Sequence, residues 1–259
     1  MSTGRFDGRV AFVTGGASGI GERTTRQLID EGGRVAVADI DEDRGRSFVA
    51  QLGDAATFVR LDVRDETSWQ AALRAAIDRF GALHVLVNSA GISVPANVED
   101  ATLEHWRVTM SINADGVFLG CKHGVATMKG FTKTGPAGAI VNLASTLGAK
   151  PGSAYVAYSA SKAAVIAVTR STALHCAERK LNIRCNAVMP GATHTPMVDV
   201  YFRNAPDAEA LKRQFESIHP LGRMGRADDI AKGIAYLASG DADWVTGVAL
   251  PIDGGFLAA

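Results

Sequence analysis

The sequence contains few cysteines, and this scarcity excludes two kinds of stabilised fold. Its 259 residues include three cysteines, which are Cys121, Cys176 and Cys185. They form no CxxC pair and leave one cysteine over, so neither a disulfide framework nor a zinc site is expected. We interpret them as small buried hydrophobic residues of a protein from a reducing compartment.

An excess of one charge is absent as well. The 27 basic side chains balance the 27 acidic ones, whereas a nucleic-acid-binding protein concentrates lysine and arginine. The histidines show no metal-ligand spacing such as HExxH, and the acidic run Asp41–Asp43 is more typical of a helix start. We therefore expect neither a nucleic-acid partner nor a bound metal.

Long apolar runs are also missing. No stretch approaches the roughly 18 uninterrupted apolar residues of a membrane-spanning helix. The first segment, Met1–Arg9, is polar and lacks the apolar core of a signal peptide. We expect a cytoplasmic protein with no membrane partner. Its length and its 47% hydrophobic content fit one domain with a large core, residues 1–259.

Short apolar runs alternate with amphipathic stretches along the whole chain. Apolar strands separated by helices predict an α/β doubly wound fold, with a mostly parallel sheet covered by helices on both faces. One stretch, residues 191–219, is irregular and rich in polar and aromatic residues, and we predict a substrate lid there. Seven strands are predicted, at Arg9–Thr14, Arg34–Asp39, Ala56–Leu61, His84–Val87, Ala139–Leu143, Ile183–Val188 and Val248–Ile252. The longer predicted helices cover Ile20–Glu31, Glu42–Leu52, Asp65–Phe80, Glu104–Met128 and Tyr155–Glu178.

A glycine-rich loop, TGGASGIG at residues 14–21, joins the first strand to the first helix. Glycines at such a place let the backbone turn sharply and approach a pyrophosphate, which then lies at the helix N-terminus. The residues expected to contact it are Gly15, Ser18, Gly19, Ile20 and Gly21.

An acidic residue, Asp39, ends the second strand. A carboxylate there can accept hydrogen bonds from the adenosine ribose and would repel a 2′-phosphate. No basic residue stands at Ser18 or directly after Asp39, where Ile40 follows. The pattern favours NAD over NADP as the cofactor.

A tyrosine and a lysine four residues apart, Tyr158 and Lys162, share one face of a predicted helix. A nearby ammonium favours the phenolate, so we expect Lys162 to lower the pKa of Tyr158 from about 10. Tyr158 would then exchange a proton with an alcohol or ketone at neutral pH. By itself this spacing is common among helices.

The motifs taken together resemble those of the short-chain dehydrogenase/reductase family, in its compact, NAD-preferring form. The resemblance runs from Arg9 to Gly255 and implies a Rossmann fold with a seven-stranded sheet and a homotetramer. It rests on the glycine loop, Asn88-Ser89-Ala90-Gly91, Ser145, the YSASK run at 158–162 and Pro190-Gly191.

The resemblance implies a catalytic set of Asn113, Ser145, Tyr158 and Lys162. Ser145 would bind the substrate oxygen, Lys162 would also hold the nicotinamide ribose, and Asn113 would position a water for proton relay. Ser89 and Ala144 depart from the usual family residues, and Thr193 replaces an aliphatic one. Further cofactor contacts are implied at Asp62, Val63, Asn88, Ala90, Gly91, Pro190, Gly191, Thr193 and Thr195.

Three alternatives stay open. Tyr155 stands seven residues before Lys162, the spacing of the related enoyl reductases, although the spacing of Ser145 from Tyr158 favours Tyr158. An NADPH-dependent 3-oxoacyl thioester reductase is the second, and Asp39 counts against it. A non-catalytic dinucleotide sensor is the third.

The substrate is the least defined feature. The residues around Ile92–Ala96, Thr146–Tyr155 and Thr193–Phe202 are mostly apolar and predict an uncharged, moderately apolar alcohol or ketone. His194 is a candidate to face it. Small apolar side chains on the helix 155–178 suggest subunit contacts.

Overall fold

The computed structural model describes residues 4–259. The first three residues of the predicted domain 1–259, which also begin the polar segment Met1–Arg9, lie outside the described residues. Seven strands form one parallel sheet, and two short strands pair separately. The strands are β1 (Val10–Thr14), β2 (Arg34–Asp39), β3 (Ala56–Arg60), β4 (Val85–Asn88), β5 (Gly138–Leu143), β6 (Ile183–Pro190), β7 (Thr193–His194), β8 (Gly225–Arg226) and β9 (Ala249–Ile252). The main sheet has the order β3-β2-β1-β4-β5-β6-β9, and β7 pairs with β8.

Helices cover both faces of this sheet because its strands are apolar on both sides. One core packs Trp69, Val117 and Val165 against the sheet, and the other packs Leu28 and Ile234 against the opposite face. The predicted doubly wound fold is confirmed. The helices are α1 (Gly19–Asp30), α2 (Glu42–Ala50), α3 (Glu66–Phe80), α4 (Leu103–Met110), α5 (Gly116–Met128), α6 (Val156–Glu178), α7 (Pro196–Asn204), α8 (Ala208–Ser217) and α9 (Ala227–Ala238).

The strand order reverses at β1, which pairs in parallel with β2 on one side and with β4 on the other. Connections therefore leave the carboxyl ends of β1 and β4 in opposite directions, and a crevice opens between them. The fold thus places the glycine loop after β1 and the segment after β4 at the same crevice.

Two predicted elements differ from the structure. The predicted helix Glu104–Met128 is interrupted by a π-helical turn at Ser111–Asp115. The predicted irregular lid, 191–219, contains two ordered helices. Pro196 occupies the first turn of α7 and the Asp207 carboxylate caps α8, so each helix has its own start signal.

The described chain, residues 4–259, has no helix that is both long and apolar enough to cross a membrane.

Candidate active site

A cavity of about 550 Å³ lies at the crevice, where the carboxyl ends of the central strands meet. Glycine-loop residues line one end of it, and Tyr158 and Lys162 line its middle. It brings together most of the predicted site residues: Gly15, Ser18, Gly19, Ile20, Ala90, Gly91, Ser145, Tyr158, Lys162, Pro190, Gly191, Thr193 and Thr195.

The glycine loop has the form of an anion cradle. Gly15 and Gly19 have φ values of +59° and +53°, which side-chain-bearing residues rarely adopt. A Cβ on Gly21 would overlap the carbonyl oxygen of Gly15. The α1 N-cap, Ser18, makes no side-chain capping bond, so the first N–H groups of the helix have no capping side chain. A pyrophosphate fits such a helix N-terminus.

Asp39 lies beside this loop, as predicted from its place at the end of β2. Its Oδ2 accepts a hydrogen bond from the backbone N–H of Ala17 at 3.2 Å, and its Oδ1 accepts one from the N–H of Asp41 at 3.1 Å. These bonds hold the carboxylate at the edge of the glycine loop. The next residue, Ile40, is exposed.

A buried threonine that the sequence prediction passed over joins the two halves of the crevice. The Thr14 hydroxyl accepts hydrogen bonds from the backbone N–H groups of Ser89 and Ala90, both at 3.0 Å. A Cβ on Gly15 would lie 2.9 Å from the Ala90 Cα. Close packing of the two loops therefore requires the glycine.

The side chain of Asn88, one of the predicted cofactor contacts, lies in the core and not in the cavity, and a contact of this residue with a cofactor stays a prediction. This side chain is buried, and its Nδ2 donates to the Asn142 Oδ1 at 2.8 Å in the core between β4 and β5. A Cβ on Gly120 would overlap Asn88, so the amide packs against α5 instead of entering the cavity.

Ser145 and Tyr158 come together at the centre of the site. Ser145 follows β5 and caps a short turn, Thr146–Gly148. This turn lies against α6, since a Cβ on Gly148 would be 2.7 Å from the backbone carbonyl carbon of Lys162. The close approach brings the Ser145 hydroxyl into a hydrogen bond with Tyr158.

The protein's own groups do not lower the pKa of Tyr158, which corrects our expectation. Burial of the phenol raises its pKa to about 12, while the hydrogen bond with Ser145 lowers it by less. Burial disfavours the charged phenolate. Tyr158 is therefore protonated at neutral pH, the state that can donate a proton to a carbonyl oxygen.

Lys162 is also controlled by burial. Desolvation lowers its pKa to about 8, and its Nζ donates to the Leu143 carbonyl oxygen at 2.8 Å. Nζ lies 5.6 Å from the centre of the Tyr158 ring. The predicted pairing on one helix face is thus present, but the ammonium contacts the ring face and a strand carbonyl.

Asn113 lies in the π-helical turn and is fully buried. Its side-chain amide accepts from the Ile92 N–H and donates to the Ile92 carbonyl, both at 2.9 Å, and also donates to Ser161 Oγ at 3.0 Å. A Cβ on Gly91 would lie 3.2 Å from the Asn113 Oδ1 and 3.6 Å from the Lys162 Nζ. Asn113 therefore fixes the segment after β4 next to Lys162, and its predicted water contact stays a prediction.

Asp62 and Val63 lie outside the cavity lining. The Asp62 carboxylate is held by Arg64, whose hydrogen bonds lower its pKa. The Val63 carbonyl accepts from the Trp69 indole N–H at 3.0 Å. Their contacts with an adenine ring stay predictions.

The far wall of the cavity comes mostly from α7 and α8, and part of it was missed. Of the predicted apolar wall residues, Leu147 and Met197 line the cavity, together with the unpredicted Leu211, Phe215 and Phe256. Leu211, Phe215 and Ile218 recur at helical spacing, a signal that could have found the α8 wall.

The histidine at the site is His219, not His194. His194 is exposed and its ring lies 6.3 Å from that of Phe202. The buried His219 lines the cavity, its Nδ1 bonds the Phe215 carbonyl at 2.7 Å, and its Nε2 accepts from the Ala192 N–H at 3.1 Å. His219 thus holds the loop after β6, next to Gly191.

Among the described residues, no group of three or more histidine, cysteine, aspartate or glutamate side chains is arranged to hold a metal ion.

The chain is similar in sequence to several known enzymes. A family model described as enoyl-(acyl carrier protein) reductase matches residues 15–257. A 2,5-dichloro-2,5-cyclohexadiene-1,4-diol dehydrogenase of Sphingobium indicum is 38% identical over 97% of each chain. A 3-beta-hydroxysteroid dehydrogenase of Comamonas testosteroni is 39% identical over 98% of each chain.

Two further matches concern the cofactor. An NADP-dependent (R)-specific alcohol dehydrogenase of Lentilactobacillus kefiri is 37% identical over 99% of each chain. The crystal structure of a 3-ketoacyl-(acyl-carrier-protein) reductase from Brucella melitensis complexed with NADH is 33% identical. It covers 96% of this chain and 98% of its own, with a TM-score of 0.88.

Proposed function

The chain belongs to the short-chain dehydrogenase/reductase family of oxidoreductases, and we propose that it transfers a hydride between NAD(H) and a secondary alcohol or ketone. One observation carries the proposal. Tyr158 is hydrogen-bonded to Ser145, lies next to Lys162 and faces the cavity. The other end of this cavity is formed by the glycine loop, which leads into the uncapped N-terminus of α1.

The glycine loop and the first turn of α1 would hold the cofactor pyrophosphate, and Gly91, Pro190, Gly191, Thr193 and Thr195 would line the nicotinamide half. A nicotinamide dinucleotide supplies the hydride acceptor or donor. Asp39 supports NAD over NADP, because its carboxylate is fixed at the loop edge where a 2′-phosphate would meet like charge. A relative is NADP-dependent, so the ratio of kcat/KM for NAD⁺ to that for NADP⁺ tests this preference directly.

Tyr158 acts as the general acid and base. In ketone reduction the Tyr158 hydroxyl donates its proton to the substrate oxygen and becomes a phenolate. In alcohol oxidation the resting phenol first releases its proton to solvent, and the phenolate then takes the proton of the substrate hydroxyl. Ser145 donates a hydrogen bond to the substrate oxygen and stabilises the charge that develops there. Lys162 supplies positive charge below the ring and, in the family pattern, also holds the nicotinamide ribose.

The substrate class is an uncharged, largely apolar alcohol or ketone, and a cyclic one is favoured. The substrate end of the cavity is lined by apolar and aromatic side chains such as Leu147, Met197, Phe215 and Phe256. Such a lining favours apolar ligands held by few polar groups. Names of two relatives refer to cyclic alcohols, a cyclohexadienediol and a hydroxysteroid.

The proposal includes a cytoplasmic homotetramer. Three free, buried thiols are consistent with a reducing compartment. Exposed Phe118 on α5 and Leu174 on α6 support a subunit interface on these neighbouring helices.

The test is oxidation of a panel of alcohols with NAD⁺ or NADP⁺, followed as absorbance of the reduced cofactor. We expect turnover of cyclohexanol and a 3β-hydroxysteroid with NAD⁺, and little turnover of a sugar phosphate. Faster turnover with NADP⁺, or activity on the sugar phosphate alone, would contradict the proposal.

Asp39 provides the cofactor control. Asp39→Ser should lower the ratio of kcat/KM for NAD⁺ to that for NADP⁺ by at least about tenfold, because it removes a repulsive charge pair worth about 1.4 kcal/mol or more. Asp41→Ser, which removes a nearby carboxylate but leaves a side chain able to cap α2, is the matched variant and should leave the ratio unchanged.

A 3-oxoacyl thioester reductase is the second candidate, supported by the similarity to the Brucella melitensis enzyme. It predicts reduction of an acetoacetyl thioester with NADPH and no oxidation of cyclohexanol. Binding of NADH without turnover of any compound in the panel would instead indicate a dinucleotide sensor.

A further inference from the structure

A second cavity, of about 560 Å³, adjoins the active-site cavity. The two share the side chains of Tyr155, Tyr201, Leu211, Gln214 and Phe215. These residues therefore form a wall with one cavity on each side. The second cavity extends from this wall along the surface at the end of α7 and the start of α8, where it is open to solvent and the lining residues Asn204, Pro206, Asp207 and Ala210 are exposed.

Two tyrosines, Tyr155 and Tyr201, form an aromatic part of this wall. The Tyr201 ring lies 6.4 Å from the Tyr155 ring, which in turn lies 6.5 Å from the Tyr158 ring. The Tyr201 hydroxyl donates to the Ser93 carbonyl oxygen at 3.4 Å, a length at which a hydrogen bond is weak. Tyr201 is thus anchored to the opposite side of the crevice by one long contact.

The helices that carry the wall are weakly anchored as well. Neither α7 nor α8 has a buried residue. Segments with little buried apolar surface open at low free-energy cost. A displacement of Tyr201 would join the two cavities without disturbing the sheet.

The size of the first cavity gives a reason for them to join. Its roughly 550 Å³ includes the space along Gly15, Ser18 and Gly19, where the cofactor would lie. A bound cofactor would leave only part of this volume for the substrate, and Tyr155 and Tyr201 border the substrate end. The second cavity lies in that direction.

We propose that the second cavity is a distal subsite that binds the remote end of an elongated, uncharged apolar substrate, with Tyr201 as the partition between the two compartments. This inference rests on the proposed function. Pro95, Ala205 and Pro206 offer apolar contacts, and the exposed amides of Asn204 and Gln214 stand where they can bond a remote hydroxyl or ketone. The Asp207 carboxylate on its lining disfavours an anionic tail.

Ala210→Trp tests the subsite, because Ala210 lines the second cavity and not the first. The bulky side chain should fill the cavity and raise KM for a 3β-hydroxysteroid at least about tenfold, the equivalent of two lost methylene contacts. KM for cyclohexanol should not change. Ala208→Trp, on the same helix but outside both cavities, is the matched control.

Equilibrium binding separates this inference from the proposed function. Calorimetric titration with the corresponding steroid ketone in the presence of NADH should show about tenfold weaker binding to Ala210→Trp alone. If the steroid ketone binds about tenfold more weakly to Ala210→Trp alone but no alcohol is turned over, the proposed function fails and the subsite stands. Equal effects on both substrates, or no effect on the steroid, would overturn the subsite.

Discussion

At the scale of single residues, the buried ammonium of Lys162 links the site to the stability of the whole chain. Its pKa is about 8 in the folded protein, against 10.5 for an unburied lysine. Between these values the unfolded chain binds more protons than the folded one, so the free energy of unfolding rises with pH. The difference corresponds to about 3 kcal/mol.

Urea unfolding between pH 7 and 10 tests this coupling. The unmodified protein should gain stability relative to Lys162→Met as the pH rises, by up to about 3 kcal/mol. The range stops at pH 10 because the pKa of Tyr158 is raised from 10 to about 12 in the folded protein. Between pH 10 and 12 the folded chain keeps this proton while the unfolded chain loses it, so the free energy of unfolding falls as the pH rises. The exposed Lys129→Met should follow the unmodified protein, and a pH-independent difference for Lys162→Met would contradict the prediction.

The site residues that could be predicted from the sequence are those whose place in the fold follows from their place in a motif. Gly15, Ser145 and Lys162 all line the cavity as expected. The protonation state of Tyr158 could not be predicted the same way, because it depends on how many atoms exclude water from the phenol. The spacing of two residues along a helix shows which charge lies near the phenol but not how far the phenol is shielded from solvent.

At the scale of elements, α7 and α8 differ from the helices that pack on the sheet. α7 and α8 have no buried residue, whereas α9 packs Ile230 and Ile234 into the core. Hydrogen exchange should therefore be faster at the amides of residues 196–217 than in α9.

Ligand binding should slow exchange in the lid and leave α9 unchanged. With NADH and a cyclic ketone at about a hundred times their Kd, exchange through lid opening should slow by up to about 100-fold. The readout is the mass shift of peptides covering α7 and α8. Lid peptides as protected as those of α9, or unaffected by both ligands, would show that these helices do not move on binding.

The lid was also the element that the sequence predicted least well. We predicted a substrate lid at residues 191–219 but not the two short helices within it, because neither is long enough to repeat an apolar pattern clearly. The π-helical turn at Ser111–Asp115 was missed for a different reason. One inserted residue shifts the helix register without changing its hydrophobic character.

At the scale of the whole molecule, the fold could be predicted because the strands are apolar on both faces and alternate with helices. The strand order around β1 and the crevice beside it follow from that alternation. The substrate compartments could not be predicted, since they depend on how α7 and α8 pack over the crevice.

Assembly is the second property of the whole molecule. Exposed apolar residues on α5 and α6 predict a subunit interface, and the family resemblance implies a homotetramer. Light scattering after size exclusion should give about four times the 27.1 kDa mass of one chain. Phe118→Glu, which places a charge at a half-exposed apolar position, should produce smaller species. Lys129→Glu, near the end of the same helix, should not, and a mass of one chain for the unmodified protein would refute the tetramer.

The most direct measurement compares Tyr158→Phe with Tyr155→Phe in NAD⁺-dependent oxidation of a cyclic secondary alcohol. Tyr158→Phe removes the acid and base, so kcat should fall by about 10³-fold while NADH binding and the unfolding transition stay as in the unmodified protein. Tyr155→Phe should keep most of the activity, because Ser145 bonds Tyr158. Full activity in Tyr158→Phe together with its loss in Tyr155→Phe would contradict the assignment and place the chemistry at Tyr155.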